Sequence, residues 1–289
     1  AAKTEKAMEK DILILTATSG DTGKAALEGF KDVDGIKICV FYPDGGVSQV
    51  QRAQMVTQEG NNVTVCAVVG NFDDAQTGVK ILFSDEKLRA DLAERGYFLS
   101  SANSINWGRI LPQVVYYIPA YCDLLRDGSI TMGQKVNFCV PTGNFGNILA
   151  AYYAKRMGLP VNMLICASNS NNVLTEFLQT GVYNRNRPFH TTMSPSMDIL
   201  ISSNLERLLY HLSGGNGAEI ADLMNSLDQN KTYTVSDKIK AGLEVFAAGF
   251  ADEKETEEAI AAMYKDNGYL MDTHTAVAYK VYADYRKET

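Results

Sequence analysis

Residues Asp11 to Phe30, DILILTATSGDTGKAALEGF, constrain the fold more than any other stretch of the chain. The run Ile12, Leu13, Ile14, Leu15 is apolar without alternation, the pattern of a strand buried on both faces. Ala25, Ala26, Leu27 and Phe30 then recur at helical spacing. A strand covered on both sides that feeds straight into a helix belongs in a parallel, helix-flanked sheet. Between the two, Thr18, Ser19, Gly20, Asp21, Thr22 and Gly23 gather hydroxyls and backbone N–H groups at a helix N-terminus. The helix dipole amounts there to about half a positive charge. Such a loop suits a carboxylate or a phosphate, although Ser, Thr and Asp are also the ordinary helix-capping residues. A nucleotide P-loop is excluded. The first glycine of G-x-x-x-x-G-K-[ST] falls on Thr18, and Lys24 is followed by Ala25, not by a magnesium-binding hydroxyl.

The alternation continues. Strand-like runs at Asp11–Thr16, Ile36–Tyr42, Val63–Val69, Lys135–Val140 and Asn162–Ala167 are separated by helical patterns at Ser48–Glu59, Phe72–Arg95 and Gly146–Met157. This order predicts an α/β chain with parallel sheets. The strands before Gly70 are expected to form one lobe and those after Lys135 another, divided as residues 1–105 and 106–289, with a helix over Asn106–Arg126. From Ala218 onward the patterns are helical, at Glu219–Leu227, Ser236–Ala247 and Glu253–Tyr264. The acidic run Glu253–Glu258 is read as a solvated helix start.

A second loop of the same kind lies in KVNFCVPTGNFGNILAAYY, Lys135 to Tyr153. Gly143 and Gly146 let the backbone approach an anion closely, Asn144 and Asn147 add amide donors, and Phe145 stands between them. No acidic residue intrudes. Two anion loops in one chain fit a ligand with two separate anionic groups. A third cluster, SSANSINWGRILPQ (Ser100 to Gln113), crowds Asn103, Ser104 and Asn106 ahead of Arg109. The planar guanidinium of arginine binds phosphate or carboxylate in bidentate fashion. The same pattern also fits a helix-start surface pair, Trp107 and Arg109, capped by Asn103 and Ser104.

Taken together, TSGDTG (Thr18–Gly23), VSQVQRAQM (Val47–Met55), NSINWGRI (Asn103–Ile110), PTGNFGN (Pro141–Asn147) and SPSMDILISSNLERLL (Ser194–Leu209) stand in the order found in threonine synthases. The chain resembles that family, pyridoxal-phosphate enzymes of fold type II. The resemblance implies a two-lobed α/β architecture with three-layer lobes. It implies that the first loop lies against the cofactor ring through Asp21 and receives the substrate carboxylate through Thr18, Ser19 and Thr22. It assigns the cofactor phosphate to Gly143, Asn144, Phe145, Gly146 and Asn147, and the substrate phosphate to Ser104, Asn106 and Arg109. The reaction implied is O-phospho-L-homoserine plus water to L-threonine plus phosphate, with the cofactor as electron sink.

One departure limits this. The family's Schiff-base lysine belongs to an aromatic-Lys-Asp motif upstream of the first loop, and no lysine here matches it. Lys3, Lys6, Lys10 and Lys24 read as solubilising surface charge. The family's partner for the pyridine nitrogen is likewise expected beyond DTHTAVAYKVYADY (Asp272–Tyr285). The resemblance therefore implies a chain truncated at both ends and inactive alone. Alternatives are another fold type II enzyme, such as a hydroxyamino-acid dehydratase or a cysteine synthase-like enzyme, or a non-catalytic relative that binds phospho-ligands. The first two lack a need for a second phosphate pocket.

Composition fits a cytoplasmic enzyme. At 289 residues and 46% hydrophobic content the chain can bury one large core or two lobes. A net charge of -7 argues against nucleic acid or an anionic membrane as partner, so local donors must bind the proposed anions. Cys39, Cys66, Cys139 and Cys166 sit in strand-like runs, where a buried free thiol is expected. Cys122 falls in a helical stretch. The odd count and the absence of a CxxC pair indicate neither disulfides nor zinc. His190, His211 and His274 are scattered, with His274 in a family-like segment. Ile110–Leu125 is broken by Pro112, Gln113 and Pro119, the pattern of a packed helix rather than a membrane span.

Overall fold

The computed structural model describes residues 10–18, 20–103 and 106–288, with Asp21 and Glu288 in backbone only. The chain divides into two compact units, residues 1–109 and 110–289.

In the first unit, strands β1 (Asp11–Ala17), β2 (Ile36–Pro43), β3 (Val63–Val68) and β4 (Tyr97–Ser101) form a parallel sheet in the order β3-β2-β1-β4. β1 is central, as its unbroken apolar run requires. One of its faces, Ile12 and Ile14, packs with Ala26 and Leu27 of helix α1 (Asp21–Phe30) and Met55 of α2 (Gln49–Val56). The other, Leu15 and Ala17, packs with Ala75 and Val79 of α3 (Phe72–Ser84). Covering both faces satisfies the α/β expectation. Two details differ from the sequence reading. The pattern over Phe72–Arg95 is two helices, because Asp85 caps a new one, α4 (Glu86–Glu94), by accepting from the N–H of Leu88 at 2.9 Å. β4 was not expected; YFLSS is a short edge strand without a strong pattern, held by its pairing to β1.

In the second unit, helix α5 (Leu111–Arg126) follows a 3₁₀ turn at Trp107–Arg109, so the helix begins five residues later than Asn106. Pro112 is tolerated in its first turn and Pro119 lies inside it. Strands β5 (Val136–Pro141), β6 (Val161–Ser168) and, after an antiparallel pair β7 (Val182–Asn184) and β8 (Thr232–Thr234), β9 (Phe246–Phe250) form a parallel sheet in the order β5-β6-β9 and the separate pair β7-β8. α6 (Gly146–Arg156) and α7 (Val173–Thr180) cover one face, burying Ile148, Leu149 and Phe177 against Val140, Leu164 and Cys166. Val277, Ala278 and Val281 of the last helix, Thr273–Glu288, cover the other against Ile165 and Ala167. Between α7 and that helix stand α8 (Leu205–Leu212), α9 (Gly217–Asn230), α10 (Asp237–Gly242) and α11 (Glu253–Asn267); the last helix is α12.

The helix expected over Ser236–Ala247 is a correction. α10 stops at Gly242, where an added Cβ would meet Leu212 at 2.6 Å, and FAAGF becomes β9 by pairing with β6. Ala- and Gly-rich residues carry no local strand signal. The acidic start of α11 is a capping box, with Asp252 and Glu255 satisfying each other's backbone N–H. Among the described residues no helix is long and apolar enough to cross a membrane.

All five cysteines are free: Cys166 is buried, Cys39, Cys66 and Cys139 are half-buried rather than buried, and Cys122 is exposed on α5. Burial pushes the thiols of Cys39, Cys139 and Cys166 up to about 12. A disulfide-exchange reagent at pH 8 should therefore label Cys122 first, and Cys166 only with global unfolding. Rapid labelling of Cys166 in the native protein would contradict this placement.

Candidate functional site

The loop after β1 is built around a single hydroxyl. Thr18 is buried; its Oγ1 accepts the N–H groups of Gly20 at 2.9 Å and Gly23 at 2.8 Å and donates to the Gly20 carbonyl. Thr18 thus shapes the loop rather than presenting its hydroxyl outward. Gly20 has φ +144°, a conformation that favours glycine, and an added Cβ there would meet the Gln51 side chain at 2.4 Å. A Cβ at Gly23 would meet Thr18 at 2.5 Å. The VSQVQRAQM motif therefore supports the loop from α2: Gln51 packs against Gly20 and is fixed by a reciprocal capping box with Ser48. Thr22 is half-buried in the first turn of α1. Ser19 and the side chain of Asp21 lie outside the described residues.

Asn103, read from sequence only as a possible helix cap, clamps this loop's base. Its side chain accepts from the N–H of Ala17 at 2.9 Å and donates to the Ala17 carbonyl at 2.6 Å, fixing the end of β1 against the segment that follows β4. Asn106 donates to the Ser101 carbonyl and accepts from the N–H of Gly108. Both amides hold the turn that leads to Arg109, which is exposed at the end of the 3₁₀ helix. Ser104 lies outside the described residues.

The Gly143–Asn147 loop is organised so that carbonyls are occupied and amides are not. Ser202 Oγ donates to the Gly143 carbonyl at 2.9 Å, and Asn204 donates to the Asn144 carbonyl through both its N–H, at 3.2 Å, and its Nδ2, at 2.9 Å. Ser203 Oγ donates to Asn144 Oδ1 at 3.4 Å. The Phe145 carbonyl accepts the first bond of α6, from Leu149. Tyr117 Oη donates to the Asn147 carbonyl at 2.9 Å and to its side-chain oxygen; burial pushes this phenol up, which keeps its proton in place. Among the described residues the backbone N–H groups of Gly143 through Asn147 donate to no protein group. Unengaged backbone N–H groups at a helix N-terminus are the donors from which an anion site can be built.

Two features force this geometry. Phe145 adopts φ 61°, ψ 4° while its ring is buried, tilted against Phe246 at 5.8 Å. A left-handed non-glycine residue costs about 1–2 kcal/mol, and ring burial offsets it. Gly143 lies so close to the 3₁₀ turn Pro195–Met197 that an added Cβ would sit 2.5 Å from the Ser196 carbonyl oxygen. That turn is anchored by a buried polar cluster. Asp198 Oδ1 accepts from Asn169 Nδ2 at 2.7 Å, Asn171 Nδ2 at 3.1 Å and Thr192 Oγ1 at 2.7 Å, and Oδ2 from the N–H of Thr192 at 2.9 Å. Burial raises the Asp198 carboxyl, and these donors only partly oppose it. The sequence reading quoted this SPSMDILISSNLERLL segment but gave it no task. Ser202-Ser203-Asn204 ahead of an apolar helix reads as an ordinary cap; only the fold brings it under the glycine loop.

A parallel α/β unit with unengaged amides at the mouth of its first strand–helix turn belongs to the class of α/β folds in which phosphate groups are held at such turns. The whole chain, residues 1–289, belongs to the family of pyridoxal-phosphate dependent enzymes. It is similar to human threonine synthase-like 1, 47% identical over 94% of the chain and 38% of that protein. To the threonine synthase of Pseudomonas aeruginosa it is 40% identical, over 96% of the chain and 57% of that protein. A PLP-bound threonine synthase from Brucella melitensis matches its fold with a TM-score of 0.86 at 42% identity, covering 98% of this chain and 59% of that one. The chain thus spans between about two-fifths and three-fifths of the length of these relatives. The fold is that of type II, as the sequence motifs implied.

Proposed function

We propose that this chain carries the phosphate and substrate loops of a threonine synthase, converting O-phospho-L-homoserine and water to L-threonine and phosphate, a carbon–oxygen lyase reaction. The observation that carries the reading is the Gly143–Asn147 cradle, with carbonyls tied by Ser202 and Asn204 and amides unengaged. Its donor set fits the phosphate of pyridoxal 5'-phosphate, and the glycine at 143 lets the loop approach the Ser196 carbonyl more closely than a Cβ would allow. When bound, the cofactor supplies an electron sink for carbanion chemistry on the amino acid. The residues of this chain hold and orient the two ligands. Amides of residues 143–147, with the Asn144 and Asn147 side chains alongside, hold the cofactor phosphate. Thr18 shapes the loop that offers Ser19, Asp21 and Thr22 to the substrate carboxylate and cofactor ring. Asn106, Ser104 and Arg109 meet the substrate phosphate and stabilise its charge as it leaves.

We assign the cofactor-bearing lysine to a residue outside these 289. The family places it ahead of the first loop, and the two aromatic-Lys-Asp triplets here, Phe30-Lys31-Asp32 and Tyr264-Lys265-Asp266, both follow that loop. The chain alone is accordingly expected to bind the cofactor's phosphate without turnover.

The test is a titration of the chain with pyridoxamine 5'-phosphate, which needs no lysine link. A longer protein containing this sequence and the upstream aromatic-Lys-Asp motif is then assayed for phosphate release from O-phospho-L-homoserine. Saturable binding with phosphate release supports the proposal; binding without release points to another pyridoxal-phosphate activity. A second reading, a phospho-ligand binder without this reaction, is favoured by the higher identity to the threonine synthase-like relative, whose name claims no reaction. A visible lysine-linked absorbance band would be absent in that case. In an active protein Arg109→Ala should lower kcat/KM for O-phospho-L-homoserine by about 10- to 100-fold, the worth of one charge-assisted bond, with cofactor binding unchanged. Unaltered turnover would remove Arg109 from the site.

A further inference from the structure

The turn beneath Gly143 is held from a second side by a residue that the proposed function does not use. His274 stands in the first turn of α12, and its Nε2 accepts the backbone N–H of Ser196 at 3.2 Å. A ring nitrogen that accepts carries no proton, so the proton lies on Nδ1, which is 3.3 Å from Asp272 Oδ1. Asp272 is fixed in turn: its Oδ1 accepts the N–H groups of His274 at 3.0 Å and Thr275 at 3.2 Å, and its Oδ2 accepts from Thr275 Oγ1. The next residue, Thr273, donates to the Met193 carbonyl at 2.7 Å, while the N–H of Met193 donates to Glu253 Oε2 at 2.9 Å. One flank of the turn is thus pinned by the start of α12 and of α11, the other by the buried Asp198 cluster.

The bond from His274 holds the N–H of Ser196, and the carbonyl of the same residue faces Gly143. The Ser196 carbonyl is the group that a Cβ at Gly143 would meet at 2.5 Å, so the height of Ser196 sets how far the glycine loop can drop. We infer that His274, oriented by Asp272, is a positioning residue for the anion cradle. Through Ser196 it sets the placement of the Gly143–Asn147 amides without touching the ligand. An Asp-x-His pair at a helix start reads locally as a cap, and Asp272 does cap α12. The histidine ring nevertheless reaches out of that cap to a backbone amide 78 residues away in sequence. A group that served only the helix would have no bond there. The inference rests on the reading of residues 143–147 as a phosphate cradle.

The experiment compares the wild-type chain with His274→Ala and His274→Gln, by pyridoxamine 5'-phosphate titration and by hydrogen exchange of the peptide spanning residues 141–149. A glutamine side-chain oxygen can accept the Ser196 N–H that alanine leaves without its partner. His274→Ala should weaken binding about five- to tenfold, the worth of one hydrogen bond, and speed exchange in the loop peptide. His274→Gln should return both to within about threefold of wild type. If alanine leaves binding and loop exchange as they are in wild type, the inference is overturned. If the glutamine variant is as impaired as alanine while its far-UV spectrum remains native, it is overturned as well. Should the wild-type chain fail to bind the probe, the cradle reading falls; loop exchange that still responds to alanine and recovers with glutamine would leave the positioning link standing.

Discussion

Gly143→Ala should bind pyridoxamine 5'-phosphate about 10- to 100-fold more weakly than wild type and lose about 1–3 kcal/mol of stability. The added methyl would sit 2.5 Å from the Ser196 carbonyl oxygen and 3.3 Å from the Met197 Cα. Both are backbone atoms, so no rotamer change can make room. The turn is pinned by Asp198 and by His274, and Gly143 by the bond from Ser202 to its carbonyl. Overpacking against such a wall costs about 1–3 kcal/mol, and every tenfold in affinity is worth about 1.4 kcal/mol. The relief must come from the glycine loop itself, which shifts its amides from their native positions. Isothermal titration with urea denaturation of the same variant checks both effects. An alanine variant with native affinity would mean that the close approach to Ser196 does not exist.

Phe145→Ala should be the most destabilising substitution in the loop, by about 3–5 kcal/mol, the usual range for a buried phenylalanine. The ring is 1% exposed and packs among Phe246 and the α6 core. The informative comparison is with Phe145→Gly. Glycine is ordinarily the poorer residue, but at φ 61° it escapes the left-handed penalty that alanine retains. The glycine variant should therefore be more stable than the alanine variant by about 1 kcal/mol, although both lose the ring. Urea midpoints followed by far-UV circular dichroism give the order directly. Alanine above glycine would show that Phe145 does not hold this backbone.

Local chemistry made much of the scaffold legible. The apolar run at Ile12–Leu15 and the helix after Gly20 are dictated by side-chain periodicity, and so are the strands containing Cys39, Cys66, Cys139 and Cys166. Periodicity failed where residues are permissive. Phe246–Phe250 is a strand only because β6 offers it an edge, and Tyr97–Ser101 only because β1 does. The break at Asp85 was written in the sequence as a cap but is indistinguishable there from a polar residue on a continuous helix. For the site, glycines and amides in a strand–helix turn announced an anion loop without saying which groups would face the ligand. Thr18 was read as a substrate contact, and its hydroxyl is engaged in holding its own turn.

By itself the sequence determined the βα alternation, the two glycine-bearing loops at helix starts and the absence of acidic residues from the second. All of these follow from interactions within a few residues of one another, where periodicity, capping and backbone permissiveness act. Only the tertiary structure decided that Ser202, Asn204 and Ser196 stand around Gly143, that Asn103 clamps Ala17, and that His274 reaches Ser196. These contacts join segments about 50 to 90 residues apart. The reason is that a hydroxyl, an amide or an imidazole bears the same local signature whether it caps its own helix or holds a distant backbone group, and only the packing of the sheets selects between them.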